Sequence, residues 1–465
     1  MQDHPQMSWP LVSFEHYMLA DDHATWPMTY PAVYEFCGQI DQQALRAALR
    51  VALDRHPFLD SRIERTANGL EWKISADADL SVTEDAGCGP MDRRIDPFTE
   101  RPFRWRWVTG SEDRSVSAAG VSGQAGVSGQ AGVSGKLMLV FHHAAVDGIG
   151  GVMFVGDWLA AYDQLVCPQR GTRLRSVAID SLRTRGRVVA AKVDQVPKRG
   201  LGVGGIAREI SRFFFRRVTP LATPPVVSAE PVDLICSVTL SAAESDSLRR
   251  LADRLRVTLN DVAMCDLLRN LRGWNQRYAA AGRWYRITMP VNLRDRAQLK
   301  MPAANRIGYA IIDRDMNRWV DDPDGLLQSL AAEHAVIRGD GLAASFLAVL
   351  SGAGRIPGGM RLLTRQRGCA TTAVFSNVGD PTRRFISKLP AVDDQLVAGN
   401  LKLTGISGGP PTRSGTPASF LLTQYRGQIR LAVTVSPELL GQEQAEQLVG
   451  GWRTMLLTTL ERHSA

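Results

Sequence analysis

Hydrophobic and polar residues follow two periods along this chain, and each period predicts one kind of element. Apolar residues recur every three or four positions over 41–55, which predicts an amphipathic helix with Asp41 as its N-cap. Helices are also predicted over 241–256, behind a capping box at Ser241–Glu244, and over 258–271. Similar spacing predicts further helices over 150–166, 324–338, 341–353, 358–367 and 442–460.

A period of two, which is typical of half-buried strands, appears between these helices. Phe103–Trp107 alternates aromatic and cationic residues, and 62–66 and 70–74 read as a hairpin around Asn68-Gly69. Other strands are predicted over 137–141, 233–240, 285–291, 307–313, 371–375, 396–406, 419–426 and 428–435. Strands and helices mix without regular βαβ alternation, so the predicted fold class is α+β.

Size and composition are those of a globular protein. The chain has 465 residues, 44% hydrophobic and 22% charged, which is enough for two or three domains. The six cysteines are scattered, as expected for reduced thiols in a cytoplasm. We see no secretion signal at the N-terminus and no apolar run near the roughly 18 residues that span a bilayer. The expected location is therefore cytoplasmic.

Positive charge is concentrated in one segment. The net charge is +8, yet 13 Lys and Arg against three acids give 170–217 a balance of +10. Three interpretations stay open: a solvated linker, a membrane-surface contact through an amphipathic helix at 206–218, or attraction of the phosphates of coenzyme A or of a phosphopantetheine carrier. A nucleic-acid partner is not expected, because no recognition module accompanies the charge.

A six-residue repeat precedes the most informative motif. The residues from 119 to 136 read AGVSGQ, AGVSGQ, AGVSGK, a composition too rich in Gly and Ser to build a core. We interpret 117–136 as a flexible loop inserted between two strands.

The segment Phe141–Gly148 offers acid–base chemistry at the end of a buried strand. Neighbouring side chains of a strand point to opposite faces, so only one of His142 and His143 can face a given cavity. An imidazole with a pKa of about 6.5 can take and return a proton near neutral pH. Asp147 could fix a tautomer, a local loop or a cation elsewhere in the chain. The competing interpretations are a hydrogen-bonded core histidine and an aspartate that caps the next helix.

A metal site is not expected. Zinc needs three or four ligands, and the six histidines outside this segment fall in no ligand-spaced cluster. No cofactor is predicted.

Five stretches in this order resemble the chloramphenicol acetyltransferase-like superfamily, which includes condensation domains of peptide synthetases and wax ester synthases. The signature H-H-x-x-x-D-G stands at 142–148. The others are Arg55-His56-Pro57-Phe58-Leu59, Thr258-Leu259-Asn260-Asp261-Val262, Met289–Arg294 with Asn305-Arg306-Ile307-Gly308, and Phe375-Ser376-Asn377-Val378-Gly379.

The resemblance implies a fold and a division of the chain. The implied fold is two α+β subdomains in a V with a solvent channel between them. The N-terminal subdomain would cover 1–167, a basic crossover linker 168–232, and the C-terminal subdomain 233–465.

The resemblance also implies residue roles. His143 becomes a general base in the channel, while His142 is structural. Asp147 pairs with Arg294 of the opposite half, and Gly148 supplies a backbone conformation or an N–H near the reacting carbonyl. Ser376 and Asn377 either line the channel and hold an oxyanion or are ordinary turn residues.

The predicted function is transfer of an acyl group from a thioester to a hydroxyl or amine. An acyl-CoA donor and a lipophilic alcohol are favoured, because the wax ester synthase-like stretches are the more numerous. The alternatives are condensation on substrates bound to a carrier protein through phosphopantetheine, and a catalytically silent relative that binds a carrier protein or lipid.

Overall fold

Two six-stranded sheets form the framework of the computed structural model, with a small third sheet beside the first. The structure describes residues 7–75, 83–85, 91–109, 134–187, 216–224, 232–280, 282–295, 298–340, 342–365 and 369–464. Its strands are β1 Ser8–Pro10, β2 Thr29–Cys37, β3 Ser61–Thr66, β4 Gly69–Ile74, β5 Phe103–Thr109, β6 Ser134–His142, β7 Cys236–Thr239, β8 Trp284–Asn292, β9 Ile307–Asp315, β10 Ala373–Gly379, β11 Ala391–Val392, β12 Gln395–Ala398, β13 Leu401–Gly408, β14 Ala418–Tyr425 and β15 Gln428–Val435. Its α-helices are α1 Ser13–Ala20, α2 Gln42–Arg55, α3 Gly148–Val166, α4 Ala242–Leu255, α5 Leu259–Arg277, α6 Pro323–Asp340, α7 Leu342–Gly354, α8 Gly359–Thr364 and α9 Gln442–Arg462.

The first sheet has the strand order β11-β12-β13-β2-β6-β5. Strand β6, next to the edge strand β5, pairs antiparallel with β2 on one side and β5 on the other. Helices α2 and α3 pack against each other, and Trp105 and Trp158 meet edge to face inside this core at 5.3 Å. The segment that follows β6 and begins at His143 therefore lies at the edge of the first core.

The second sheet has the order β7-β15-β14-β10-β8-β9, with parallel pairing of β10 to both neighbours. Trp452 of α9 packs edge to face on Phe375 and Phe420, each at 5.7 Å. We call the bodies built on the two sheets the first and the second subdomain. The α+β class is confirmed.

The two subdomains exchange chain segments. Strands β11–β13 come late in the sequence but belong to the first sheet, where β13 pairs antiparallel with β2. In the other direction, the β8–β9 connection (293–306) places Met301, Ala303 and Ala304 in the first hydrophobic core. The predicted domain limits at 167 and 232 stay a prediction, and neither separates these contacts.

Several predicted elements have different limits in the structure. The strand predicted over 396–406 is a hairpin, because Gly399, with φ +54°, turns the chain between β12 and β13. The strand predicted over 371–375 begins at Ala373 and continues to Gly379. Helix α5 extends six residues beyond the predicted end, to Arg277.

Two predicted segments lie mostly outside the described residues. Of the predicted repeat loop 117–136, the part up to 133 is not described, and the end is wrong as a loop because 134–136 form the start of β6. Of the predicted helix 206–218, the part up to 215 is not described, and the end is not helical. Val218 is buried and forms a β-bridge with Trp284, so it cannot lie on a lipid-facing side.

In the part of the chain that the structure describes, no helix is long and apolar enough to cross a bilayer.

Candidate active site

His143 directly follows β6 and is buried between the subdomains, with 7% of its surface exposed. Its backbone N–H donates to the carbonyl of Met28 at 2.8 Å. The ring is flanked by Phe14 and Tyr30, whose centroids lie 6.2 Å and 5.2 Å away. Burial lowers the pKa of His143, and its own carbonyl and Asp147 oppose this only in part. The imidazole is therefore neutral at neutral pH, and one ring nitrogen carries a free lone pair.

His142 has different neighbours, as the alternation of a strand predicts. It is fully buried, its Nδ1 accepts from the N–H of Ala144 at 3.1 Å, and its Nε2 lies 3.6 Å from the Asp22 carboxylate. These contacts hold the loop that follows the strand, and they are consistent with the structural role predicted for this residue.

Asp147 is the most heavily bonded group of the segment. Its Oδ1 accepts from Gly150 N–H at 2.7 Å and so caps α3, and it also accepts from Arg294 Nη2 at 2.9 Å. Its Oδ2 accepts from Arg294 Nη1 at 2.9 Å and from Arg306 N–H at 2.7 Å. Because the carboxylate is fully buried and bonded on both oxygens, the two interpretations of Asp147 hold together: it caps a helix and pairs with Arg294.

The glycines after Asp147 differ in what they permit. Gly148 does not have a positive φ, and a Cβ there would meet nothing within 4 Å, so the predicted need for a special backbone conformation is wrong. A Cβ on Gly151 would lie 2.7 Å from the Tyr30 hydroxyl, which donates to the Asp147 carbonyl at 2.9 Å. Gly148 therefore borders open space, whereas Gly151 permits close packing.

Two successive residues of the segment 303–306 in the second subdomain, Asn305 and Arg306, are bonded to the histidine loop. The Ala304 carbonyl accepts from Arg294 Nη2 at 2.7 Å, and the Arg306 N–H reaches Asp147 as described. The side-chain NH₂ of Asn305 donates to the carbonyls of His143 and Ala144, both at 2.8 Å. We did not predict a site role for Asn305, although the resemblance of Asn305–Gly308 to a family stretch was a signal for it.

His56 belongs to the family-like stretch Arg55–Leu59, and its contacts give that stretch a structural role. Its Nδ1 accepts from Ala303 N–H at 2.8 Å, which places the proton on Nε2, 3.3 Å from Asp157 Oδ2. Arg55 also bonds Asp157, at 2.7 Å. His56, directly after α2, thus anchors the start of segment 303–306.

Ser376 and Asn377 lie near the end of β10 in the second sheet. Asn377 donates to the Asn260 side chain at 3.3 Å and accepts from Gly379 N–H at 2.9 Å. Its amide is thus used within the second subdomain, and no contact between either residue and His143 is found among the described residues. Their predicted oxyanion role stays a prediction.

Solved structures with the same arrangement span nearly the whole chain. Polyketide synthase associated protein 5 from Mycobacterium tuberculosis is 15% identical with a TM-score of 0.62, covering 98% of this chain and 100% of that one. The first condensation domain of the calcium-dependent antibiotic synthetase is 13% identical with a TM-score of 0.64 (98% and 97%). Trichothecene 15-O-acetyltransferase from Fusarium sporotrichioides is 10% identical with a TM-score of 0.65 (97% and 95%).

The chain has the chloramphenicol acetyltransferase-like fold. Proteins named as condensation domains and as acetyltransferases share it, so the fold by itself does not select one reaction. The uncharacterized protein Rv2305 of Mycobacterium tuberculosis is 27% identical over 289 residues, which are 59% of this chain and 59% of that protein. The chain thus matches about three fifths of the length of this curated relative. No family model matches the chain.

A pocket lies at the contact of the subdomains. The pocket has a volume of about 610 Å³, which includes space open to solvent. Tyr309 and Phe346 line it, and Tyr309 packs on Phe14 at 5.8 Å, the same ring that flanks His143. Two aromatic rings therefore separate the pocket from the imidazole.

The far wall of the pocket is polar. Arg413 pairs with Asp21 at 2.5 Å and donates to the Tyr17 hydroxyl, so its charge is compensated within the wall. Thr371 and Thr416 add hydroxyl groups to the lining. An apolar ligand that carries a hydroxyl or a carbonyl suits such a lining.

The described residues contain no group of three or more His, Cys, Asp and Glu side chains that could hold a metal ion.

Proposed function

We propose that this protein is an acyltransferase that moves an acyl group from a thioester to a hydroxyl or amine, with His143 as the general base. The observation that carries the proposal is a neutral imidazole, buried where the subdomains meet and bonded through its backbone to both of them. Open space also borders Gly148, five residues along the same motif.

The proposed reaction needs one histidine and no covalent enzyme intermediate. Nε2 of His143 takes the proton of the acceptor O–H or N–H while that oxygen or nitrogen attacks the thioester carbonyl carbon. The tetrahedral intermediate then collapses, the C–S bond breaks, and the imidazolium returns the proton to the leaving thiolate. A lowered pKa favours this cycle, because the resting ring is unprotonated at neutral pH.

The oxyanion of the intermediate needs a hydrogen-bond donor. The Asn377 amide is already bonded to Asn260 and Gly379, so Ser376 is the better candidate of the two predicted residues. A backbone N–H near Gly148 is the other candidate, since nothing fills the space beside that residue.

For substrates we propose an acyl-CoA donor and a lipophilic alcohol acceptor. The aromatic and hydroxyl lining of the pocket next to Phe14 supports an apolar acceptor. The similarity to a trichothecene acetyltransferase supports an alcohol, and the similarity to a condensation domain keeps carrier-bound substrates as the second candidate. A silent binding relative is the third.

The test is thiol release measured with a thiol-reactive dye. Acyl-CoAs from C2 to C16 and acyl-loaded carrier protein are each combined with short alcohols, long alcohols and amines. His143→Ala should reduce the rate by about 10²-fold or more while the protein stays folded. His16→Ala, on the partly exposed side of α1, is the control and should keep the full rate. A His143→Ala protein with undiminished rate would refute the general-base role, and binding without turnover across the panel would favour the silent relative.

A further inference from the structure

Helix α7 carries no charged residue, although one of its faces is open to solvent. Its sequence is LAASFLAVLSGAG, and Leu347 and Leu350 on its inner face belong to the first hydrophobic core. The described residues that are exposed on the helix are Ala348, Val349, Gly352 and Gly354. A surface helix of a globular protein normally presents polar residues to water, so this face is unusual.

The exposed apolar surface continues through the turn after α7 and into α8. Ile356 and Leu362 are 63% and 77% exposed, the two highest values among the large hydrophobic residues that the structure describes. A Cβ on Gly359 would lie 3.2 Å from the Ile356 Cβ, and Leu362 follows Gly359 by about one helical turn, so the two side chains belong to adjacent turns. We call Val349, Ile356 and Leu362 the apolar patch.

Arginines alternate with the apolar patch along the chain. The 29 residues from 341 to 369 contain four Arg and no Lys, Asp or Glu, which gives this stretch a charge of +4. Arg355, Arg361 and Arg365 are all exposed, and the first two directly precede Ile356 and Leu362. Apolar side chains flanked by cations suit an anionic lipid surface, where the former enter the interface and the latter meet the phosphates. A second copy of this surface is a poor partner, because a two-fold contact would bring like charges together.

The apolar patch adjoins the pocket. Leu363 and Thr364, which follow Leu362 on α8, line the pocket, and so does Phe346 of α7. The Thr364 hydroxyl donates to the Ala20 carbonyl at 3.1 Å, which holds the end of α8 against the end of α1. Helices α7 and α8 thus form one wall, with pocket lining on the inner side and the apolar patch on the outer side.

We propose that the apolar patch is a lipid-docking surface, by which α7 and α8 bind an anionic bilayer with the three exposed arginines at its phosphate groups. Docking in this way brings the pocket to the bilayer surface, so a lipophilic acceptor enters it without first crossing water. The meaning of this route for catalysis rests on the proposed function, whereas the docking itself does not.

The first test is cosedimentation with vesicles of phosphatidylcholine that contain phosphatidylglycerol. The double variant Ile356→Ser with Leu362→Ser should bind about 10-fold or more weaker than the parent, because two apolar side chains no longer leave water. The matched control is Leu165→Ser with Val320→Ser, whose parent side chains are 51% and 48% exposed elsewhere on the surface. The control should bind like the parent, and both double variants should stay folded.

The second test removes the charge of the patch. Replacing Arg355, Arg361 and Arg365 by Gln should weaken binding by about 10²-fold at low salt, at about 5-fold for each arginine, and high salt should remove most of the difference. The matched control replaces three other exposed arginines by Gln and reaches the same net charge, so it should lose far less. These control positions are Arg250, Arg254 and Arg277.

The third test places a probe in the apolar patch itself, because the basic segment 170–217 could also attract anionic lipid. In Leu362→Trp the added indole should be quenched by lipids brominated on their acyl chains, beyond the quenching of the parent protein. Leu165→Trp is the control and should show no such addition.

The inference is overturned if the patch and control variants bind vesicles equally, or if Leu362→Trp shows no added quenching. It is also overturned if sedimentation velocity shows that the parent self-associates through the apolar patch and does not bind vesicles. None of these measurements needs a substrate. If the parent turns over no thioester, the proposed function fails and the vesicle data still decide the docking; if it turns over thioesters but ignores vesicles, only the docking fails.

Discussion

The ion pair between Asp147 and Arg294 is predicted to be one of the most sensitive points of the fold. Both side chains are buried, with 0% and 3% exposed, and two bonds of 2.9 Å join them. Arg294→Ala would leave a buried carboxylate with only the N–H groups of Gly150 and Arg306. Breaking a buried pair on one side costs about 3–5 kcal/mol, so the melting temperature should fall by about 3–5 °C, at about 1 °C per kcal/mol for a chain of this size.

A double-mutant cycle separates the interaction energy of the pair from the cost of leaving one of its charges buried and unpaired. Asp147→Asn and Arg294→Met should each destabilise, whereas the double variant leaves no uncompensated charge and should lose less than the sum of the two, by about 1–3 kcal/mol. The control is Arg46→Ala, because Arg46 pairs with Glu84 at 2.7 Å but is half exposed. A surface pair of this kind contributes about 0–1 kcal/mol.

The measurements are thermal melting and urea denaturation of the parent and the five variants at one pH. A loss for Arg294→Ala no larger than that for Arg46→Ala would show that the pair does not carry the stability assigned to it. Additive losses in the cycle would refute direct coupling between Asp147 and Arg294.

Two further predictions concern a buried carboxyl and the pocket. Burial raises the pKa of Asp266 to about 6 despite its contact with Arg269, so its proton stabilises the folded state below about pH 4 and this stabilisation is lost as the pH rises through 6. Asp266→Asn should therefore have a free energy of unfolding up to about 3 kcal/mol larger than that of the parent at pH 7, and the difference should shrink towards pH 4. A difference that does not depend on pH would contradict the shifted pKa. In the pocket, Ile311→Trp should lower kcat/KM for long-chain acceptors by about 10-fold and spare short ones in the thiol-release assay, and equal losses for both would show that acceptors do not bind there.

Local signals in the sequence were sufficient where an element depends on its own residues. Asp41 caps α2 as predicted, accepting from Ala44 N–H at 2.9 Å. The capping box at Ser241–Glu244 is present with both of its bonds, and so is the one between Thr258 and Asp261. In these cases the partners are three residues apart, so the pattern contains the interaction itself.

Pairings between distant segments were out of reach of such signals. The residues 396–406 are apolar enough for one strand, and only their pairing with β2, some 370 positions earlier, shows why the chain turns at Gly399. Val218 has helical spacing with its predecessors, yet it is buried beside Trp284. Tertiary pairing overrides local periodicity in both segments.

In the site, too, residues of one short motif could be predicted, whereas a residue defined by contacts with distant segments could not. The sequence predicts His143 and Asp147 from one short motif, and Arg294 from a resemblance. Asn305 could not be given a role, because its partners His143 and Ala144 lie 162 and 161 positions away. A single sequence contains the residue but not the contact.

The distribution of these contacts between the subdomains has a consequence for how reactants reach His143. The anchors from the β8–β9 connection include the Arg294 pair, the Arg306 N–H and the two bonds of Asn305. At roughly 1 kcal/mol for each neutral bond and more for the pair, pulling this connection away from the histidine loop would cost several kcal/mol and would also release the ring. We therefore expect both reactants to arrive without separation of the subdomains at this point, from the sides where the surface is already open, such as the space beside Gly148 and the pocket behind Phe14.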